Sequence, residues 1–346
     1  MTRAVFAIPG DINLPTGGYA YDRRLLALLP DHGIAVRHLE LPGSFPSPSP
    51  ADLAETTRLL AGASGVLMID GLAYGALPVA NIAPIAGPII ALVHHPLCLE
   101  AGLSEPRQHE LRALETAALA RAARVVVTSP LTGRTLATDF GVPSDRMTVA
   151  EPGTDRADRA TGTGEPLQLL AVGSIVPRKA YDILVRALAP ARDIAWRLTI
   201  AGLADRDAPA LAALHAAIRE TGLGDRINPI GAVSTAELDT LYAAADLFVM
   251  PSLYEGYGMV LAEAMARGLP IVCTTGGAAA ETVPVDAGIK VPPGDEKALS
   301  AAILRMLNDP GLRRRMGEAS WVAGQKLPRW DDTARIIAGV IKELTP

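Results

Sequence analysis

The sequence has almost no cysteine: Cys98 and Cys273 are the only two in 346 residues. Far apart and in different expected domains, they provide neither a disulfide framework nor a thiolate metal site. The reducing cytoplasm is the expected location. Lysine is missing from residues 1–155, which hold 11 Arg and no Lys against 15 Asp plus Glu. With a net charge of −5 for the chain, the basic face of a nucleic-acid binder is not there. The first half has no strong net attraction for an anionic membrane, although a local basic patch would still permit peripheral contact. Aromatic residues make up only 4%, too few for a long polysaccharide platform. No run reaches the ~18 apolar residues of a spanning helix. The N-terminal "MTRAVFAIPGDINLP" is too short an apolar run for a signal peptide. No G-x-G-x-x-G follows the first strand, which argues against a Rossmann dehydrogenase.

What is present is length and apolar content. A chain of 346 residues with 49% hydrophobic and 20% charged residues predicts two globular domains, each with its own core. Short apolar runs alternate with helical patterns, the signature of parallel sheets with crossover helices. The runs are "AVFAIPG", "GVLMID", "PIIALVH" and "RVVVTS", then "QLLAVGS", "WRLTIAG", "RINPIGA", "LFVMPS" and "PIVCTT". Most end in Gly, Ser, His, Asp or Thr, at the carboxyl edge where open α/β sheets bind ligands. The stretch 151–166 lacks an apolar period and reads as the connection between domains. A helix is expected from Trp330.

Two segments carry chemistry. In "AVGSIVPRKAYDILV" a strand ends at Gly173-Ser174, and Arg178-Lys179 precede a helix, so cations and a helix N-terminus converge where an anion can sit. In "SLYEGYGMVLAEAMARGLP" Glu255 stands in a loop and Glu263 inside the following helix, separated by Gly256 and Gly258. The glycines let backbone approach a ligand and present amides at the helix start. Carboxylates accept hydrogen bonds from sugar and ribose hydroxyls, while amides and cations bind phosphate. A sugar, a diphosphate and a ribose in a row match that arrangement. The plainer reading makes Glu255 a helix-dipole partner and Glu263 a surface residue.

Residues 165–325, including "VGSIVPRKAYDILVRAL" and "SLYEGYGMVLAEAMARGLPIVCTTGG", resemble the donor domain of retaining family 4 glycosyltransferases of the GT-B fold. The resemblance implies an α/β architecture of two Rossmann-like doubly wound domains facing each other across a cleft. Residues 1–155 would form an acceptor-binding domain, 156–166 a linker and 167–327 a nucleotide-sugar-binding domain. Residues 328–346 would form a helix packing back on the first domain. Glu255 would then bind the transferred sugar, Glu263 the ribose, and Arg178 and Lys179 the leaving diphosphate. Gly173, Ser174, Gly256, Tyr257, Gly258, Met259 and Val260 would line the donor, with Ile230, Gly231 and Val233 bordering its base. In the first half the match is weaker. Gly17 and Gly18 would lie near the donor phosphates, or else form a simple tight turn.

His94, which directly follows an apolar run, is preferred to His95 as the catalytic-site histidine that the resemblance implies. Asp70 and Glu100 are further acceptor-side candidates, each with capping as its plainer role. Asp205 and Asp207 in "ADRDAP" read as solvent-exposed, and no metal or cofactor is expected. The expected reaction moves a hexose from a nucleoside diphosphate (UDP-glucose-type or GDP-mannose-type) to a hydroxyl, giving an α-linked product. The acceptor could be a glycan, a lipid or a small molecule. Rival readings are a nucleotide-sugar 2-epimerase of the same architecture and a non-catalytic nucleotide-sugar-binding protein.

Overall fold

The computed structural model describes residues 2–345. The chain divides into two units, one running to Gly153 and resuming at Pro328, the other spanning Thr154–Leu327. The first is built on strands β1 (Thr2–Pro9), β2 (Ile34–Leu41), β3 (Val66–Asp70), β4 (Ile89–Val93), β5 (Arg124–Val127) and β6 (Met147–Val149). They pair in parallel in the order β2-β1-β3-β4-β5-β6. The second contains β7 (Leu167–Val172), β8 (Trp196–Ala201), β9 (Ile227–Gly231), β10 (Leu247–Met250), β11 (Ile271–Thr274) and β12 (Gly288–Val291). Their order is β12-β11-β10-β7-β8-β9, again parallel.

The inner strands explain why the sheets form. Every residue of β3, β4, β10 and β11 is buried, as strands covered by helices on both faces must be, and such strands read as continuous apolar runs. The nine runs in the sequence correspond to β1, β3, β4, β5 and β7 to β11. The three strands they omit, β2, β6 and β12, all lie at sheet edges. Edge strands bury less: β2 mixes buried and exposed positions along "IAVRHLEL", and no residue of β6 is fully buried.

The stretch 156–166, expected as a linker, belongs to the second unit. It has no regular secondary structure, yet its backbone is paired: Ala160 N–H donates to the Arg267 carbonyl (2.9 Å) and Thr161 N–H to the Ala243 carbonyl (3.0 Å). The loop composition was legible, but the partners of its polar backbone groups lie far along the chain.

The helix Trp330–Glu343 completes the first unit. Its apolar stripe, Trp330, Ala334, Ile337, Ala338 and Ile341, is buried. The Trp330 ring meets Tyr21 edge-on at 5.7 Å, with the Arg24 guanidinium 5.6 Å from its centroid. Thr333 donates its hydroxyl to the Glu151 carbonyl at 2.7 Å. At Gly153 backbone approaches backbone so closely that a Cβ would lie 2.2 Å from the Trp330 nitrogen. Among the described residues no helix is long and apolar enough to cross a membrane.

Removing the Trp330 ring leaves a cavity beside Tyr21. Trp330→Ala should therefore destabilise the first unit by about 3–5 kcal/mol, read as a lower urea midpoint. A midpoint equal to that of the parent would show that the helix docks without this contact.

Candidate functional site

In the second unit, the carboxyl ends of β7 and β10 bring three charges together. After β7 the chain passes Gly173-Ser174, turns through the short helix Pro177–Lys179 and enters the helix Tyr181–Leu188. Ala180, between the two helices, has φ 51° and ψ 39°, the one non-glycine residue of the described set with positive φ. That conformation costs about 1–2 kcal/mol and accompanies an inward-turned Lys179. Lys179 Nζ donates to Glu255 Oε1 at 2.7 Å, and Arg178 NH1 lies 3.2 Å from the same oxygen. Arg178 NH1 also donates to the Tyr254 carbonyl at 2.8 Å.

Glu255 is 7% and Lys179 8% exposed, so these charges interact with little screening. Burial alone would push the Glu255 carboxyl up. Lys179 and Arg178 outweigh it and hold the pKa at about 2. Two cations at a helix N-terminus are unfavourable by themselves. The carboxylate compensates them here, and a diphosphate carries the same sign of charge.

Backbone geometry holds Glu255 in place. Its N–H donates to the Gly276 carbonyl (3.2 Å), and Ala278 N–H donates to the Glu255 carbonyl (2.8 Å). A Cβ on Gly277 would sit 2.2 Å from the Glu255 carbonyl oxygen, and one on Gly276 2.3 Å from that of Leu253. Thr274 donates its hydroxyl to the Ser252 carbonyl and accepts from Gly276 N–H. Thr274, Gly276 and Gly277 were missed as site residues, although a glycine pair directly after the run "PIVCTT" is a visible signal of close approach. Gly202 was missed too: a Cβ there would lie 2.1 Å from the Gly173 carbonyl oxygen, so β8 also shapes the Gly173-Ser174 turn.

The remaining donor-side residues fall around this edge. Gly173 has φ 145°, and a Cβ there would meet Lys179 Cε at 2.7 Å. Gly258, at φ 90°, is the N-cap of the helix Met259–Ala266. Met259 and Val260 are half-buried in its first turn, Gly256 is half-buried, and Tyr257 is buried with its carbonyl accepting from the Thr282 hydroxyl at 2.8 Å. Gly231 closes β9, its carbonyl accepting from Gly202 N–H (2.8 Å), with Ile230 and Val233 half-buried beside it. Glu263 is not on the Lys179 cluster. It accepts from the Tyr242 hydroxyl at 2.8 Å, and burial raises its pKa.

In the first unit, Gly17 and Gly18 open the helix Gly17–Leu28, capped by Thr16, so they form a helix start, not an isolated turn. A Cβ on Gly18 would lie 3.5 Å from the His94 ring. His94, just past β4, directs Nε2 toward two carboxylates: Asp70 Oδ2 at 3.3 Å and Asp22 Oδ1 at 3.5 Å. Asp70 also caps the helix Gly71–Tyr74, accepting from Leu72 N–H at 2.8 Å. His95 faces elsewhere, with Nε2 3.2 Å from Glu100 Oε2.

Asp22 was missed. It lies on the buried stripe of its helix with Tyr21 and Leu25, and a charged residue on an apolar stripe is the signal that could have found it. Asp22, Asp70 and His94 each offer one ligand atom, and these lie within 4.8 Å of one another, close enough for one positive charge to face all three. Asp207 caps the helix Ala208–Thr221 through Ala210 N–H (2.8 Å), while Asp205 is exposed.

The family profile described as Glycosyl transferases group 1 matches residues 154–321, and that described as Glycosyl transferase 4-like domain matches residues 9–153. The chain is 27% identical over 310 residues to the MMP alpha-(1->4)-mannosyltransferase of Mycolicibacterium hassiacum, covering 84% of this chain and 74% of that protein. It spans only 54–60% of the length of several further curated relatives. Sucrose-phosphate synthase from Thermosynechococcus elongatus has the same fold, with a TM-score of 0.84 at 22% identity over 99% of both chains. An Anabaena protein solved in complex with UDP-glucose gives 0.77 at 18% identity over 99% of this chain and 100% of that one.

Because the folded-state pKa of Glu255 is depressed, its stabilising contribution is complete above about pH 4.5 and is lost as pH falls through about 2. Glu255→Gln should therefore lose less stability than the parent between pH 5 and pH 3, by thermal unfolding. Lys179→Ala leaves the buried Glu255 carboxylate with Arg178 as its counter-charge and should cost about 1–3 kcal/mol at pH 7. An acid profile identical in parent and Glu255→Gln would refute the depressed pKa.

Proposed function

Since the chain belongs to the group 1, family 4-type glycosyltransferases of the GT-B fold, we propose that it transfers a hexose from a nucleoside diphosphate to an acceptor hydroxyl with retention. The observation that carries this reading is the buried Lys179–Glu255–Arg178 cluster at the strand ends of the second unit. Cleavage of the sugar–phosphate bond builds negative charge on the departing diphosphate, and cations already in place stabilise that charge as it develops. Lys179 and Arg178 are the assigned cations. Glu255 neutralises them in the ligand-free chain and, with donor bound, accepts hydrogen bonds from the sugar hydroxyls.

Glu263 is assigned to the ribose, an exchange of its Tyr242 partner for a ribose hydroxyl. The amides at Gly258 and the turn Gly173-Ser174 are assigned to the phosphates. Two protein cations supply the charge compensation, so the reading requires no metal. The departing phosphate takes the acceptor proton on the same face, which gives an α-linked product from an α-linked donor. His94 is assigned to polarising the reacting groups. The Mycolicibacterium relative, a mannosyltransferase, favours a mannosyl donor. The Anabaena complex keeps UDP-glucose as the comparison ligand.

Lys179→Ala and Glu255→Ala should each lower transfer by about 10²–10³-fold, comparable to losing one transition-state donor, with circular dichroism unchanged. Full activity in both, with folding intact, would sink the assignment. GDP-mannose or UDP-glucose should raise the melting temperature of the parent, since a ligand bound only by the folded state stabilises it. Transfer in excess EDTA should equal transfer without it.

A further inference from the structure

His94 faces two carboxylates where one would orient it. Asp22 is fully buried, Asp70 is 2% exposed, and the His94 side chain is 24% exposed. Neither Asp22 oxygen nor His94 Nε2 has a partner of hydrogen-bonding geometry. The separations of 3.3 and 3.5 Å exceed the roughly 2.7–2.9 Å of a charge-assisted hydrogen bond, so the contacts are long ones to which hydrogen bonding and charge both contribute.

Two buried carboxylates without a cation are costly, and a bare nitrogen lone pair aimed at them would be repelled. Nε2 therefore carries a proton. With one carboxylate present, the ring could stay neutral, leaving Nδ1 as a base. The second carboxylate favours a proton on Nδ1 as well.

We propose that Asp22 is a positioning residue: with Asp70 it keeps His94 doubly protonated through the neutral range, so that His94 offers substrate a fixed N–H and a positive charge instead of a base. The charged neighbours support this. Burial, the largest influence, lowers the His94 pKa, but Asp22 and Asp70 together carry it up to about 10. Burial and Asp70 raise the Asp22 carboxyl to about 7 against the pull of His94, so its charge holds the His94 proton chiefly above that pH, where the ring would otherwise be neutral. From the helix Gly17–Leu28 the ring also meets Tyr21, edge-on at 5.3 Å, whose hydroxyl is turned away to the Ala150 carbonyl. From the end of β5, Thr128 reaches only the His94 carbonyl. Asp22 and Asp70 are the charged groups that act on His94.

The activity consequence rests on the assignment of His94 to the reacting centre, but the protonation state can be read without substrate. Nitrogen-15 NMR of the imidazoles, with His94 assigned by comparison with His94→Gln, should show both ring nitrogens protonated in the parent at pH 8. In Asp22→Asn the His94 titration should fall by about 2 units. The deficit of Asp22→Asn in turnover of GDP-mannose or UDP-glucose should widen by about fourfold between pH 6.5 and 8.5, a pH dependence that damage to the fold alone would not produce.

If Asp22→Asn does not fold, Asp70→Asn replaces it, since an amide oxygen can keep the cap on Leu72, and the same downward shift is expected. The proposal is overturned by a His94 that is neutral at pH 7 in the parent, by a folded variant titrating like the parent, or by activity that EDTA abolishes and Mn²⁺ restores. Absence of turnover with either donor would tell against the proposed function, while the NMR titration would still decide the state of His94.

Discussion

A single buried carboxylate, Glu255, sets the terms for the charged cluster at the carboxyl ends of β7 and β10. It is the counter-charge that lets Arg178 and Lys179 sit beside a helix N-terminus, where cations otherwise meet the wrong end of the dipole. Much of the nearby backbone geometry serves this arrangement: the left-handed Ala180, the Gly173 turn under Lys179, and the Gly276-Gly277 contact behind Glu255. Such strain persists only where the surroundings over-determine it. The cluster also has a built-in exchange, because an incoming anion can take over the cations that the carboxylate now satisfies.

The first unit solves a related problem with the opposite excess. There, two carboxylates surround one ring, and the missing positive charge is supplied by a proton. Both clusters sit just beyond strand ends, where an open parallel sheet leaves side chains free to point at a ligand. In one the charge balance is fixed by lysine and arginine. In the other it varies with proton uptake.

How much of this could be read from the chain depended on whether the signal was local. Lys179, Arg178 and Glu255 stood out because charges next to glycine follow apolar runs. The inner strands were legible for the same reason, as uninterrupted apolar stretches. Strands β2, β6 and β12 escaped because each is a partly covered edge strand with a weak or short apolar pattern, whereas the fourth edge strand, β9, was legible from "RINPIGA". Asp22 escaped because "YAYDRRLL" looks like an ordinary solvated helix start, and the inward direction of that carboxylate depends on strands about 50 and 70 residues away in the chain. Gly202 is a close-approach glycine whose neighbour, the Gly173 carbonyl, follows another strand, so its role required the folded chain. The stretch read as a linker lies within the second unit, and its hydrogen bonds to Ala243 and Arg267 were hidden in the same way.

The return of the chain to the first unit after Leu327 reverses the usual order of assembly during synthesis. Domains generally fold as they leave the ribosome, the N-terminal one first. Here the second unit is one continuous stretch and is complete once Leu327 has emerged. The first unit must wait for Trp330 and its helix, which are made after the whole of the second unit, to cover Tyr21. Until that helix docks, the apolar surface around Tyr21 stays uncovered while the second unit can already be folded.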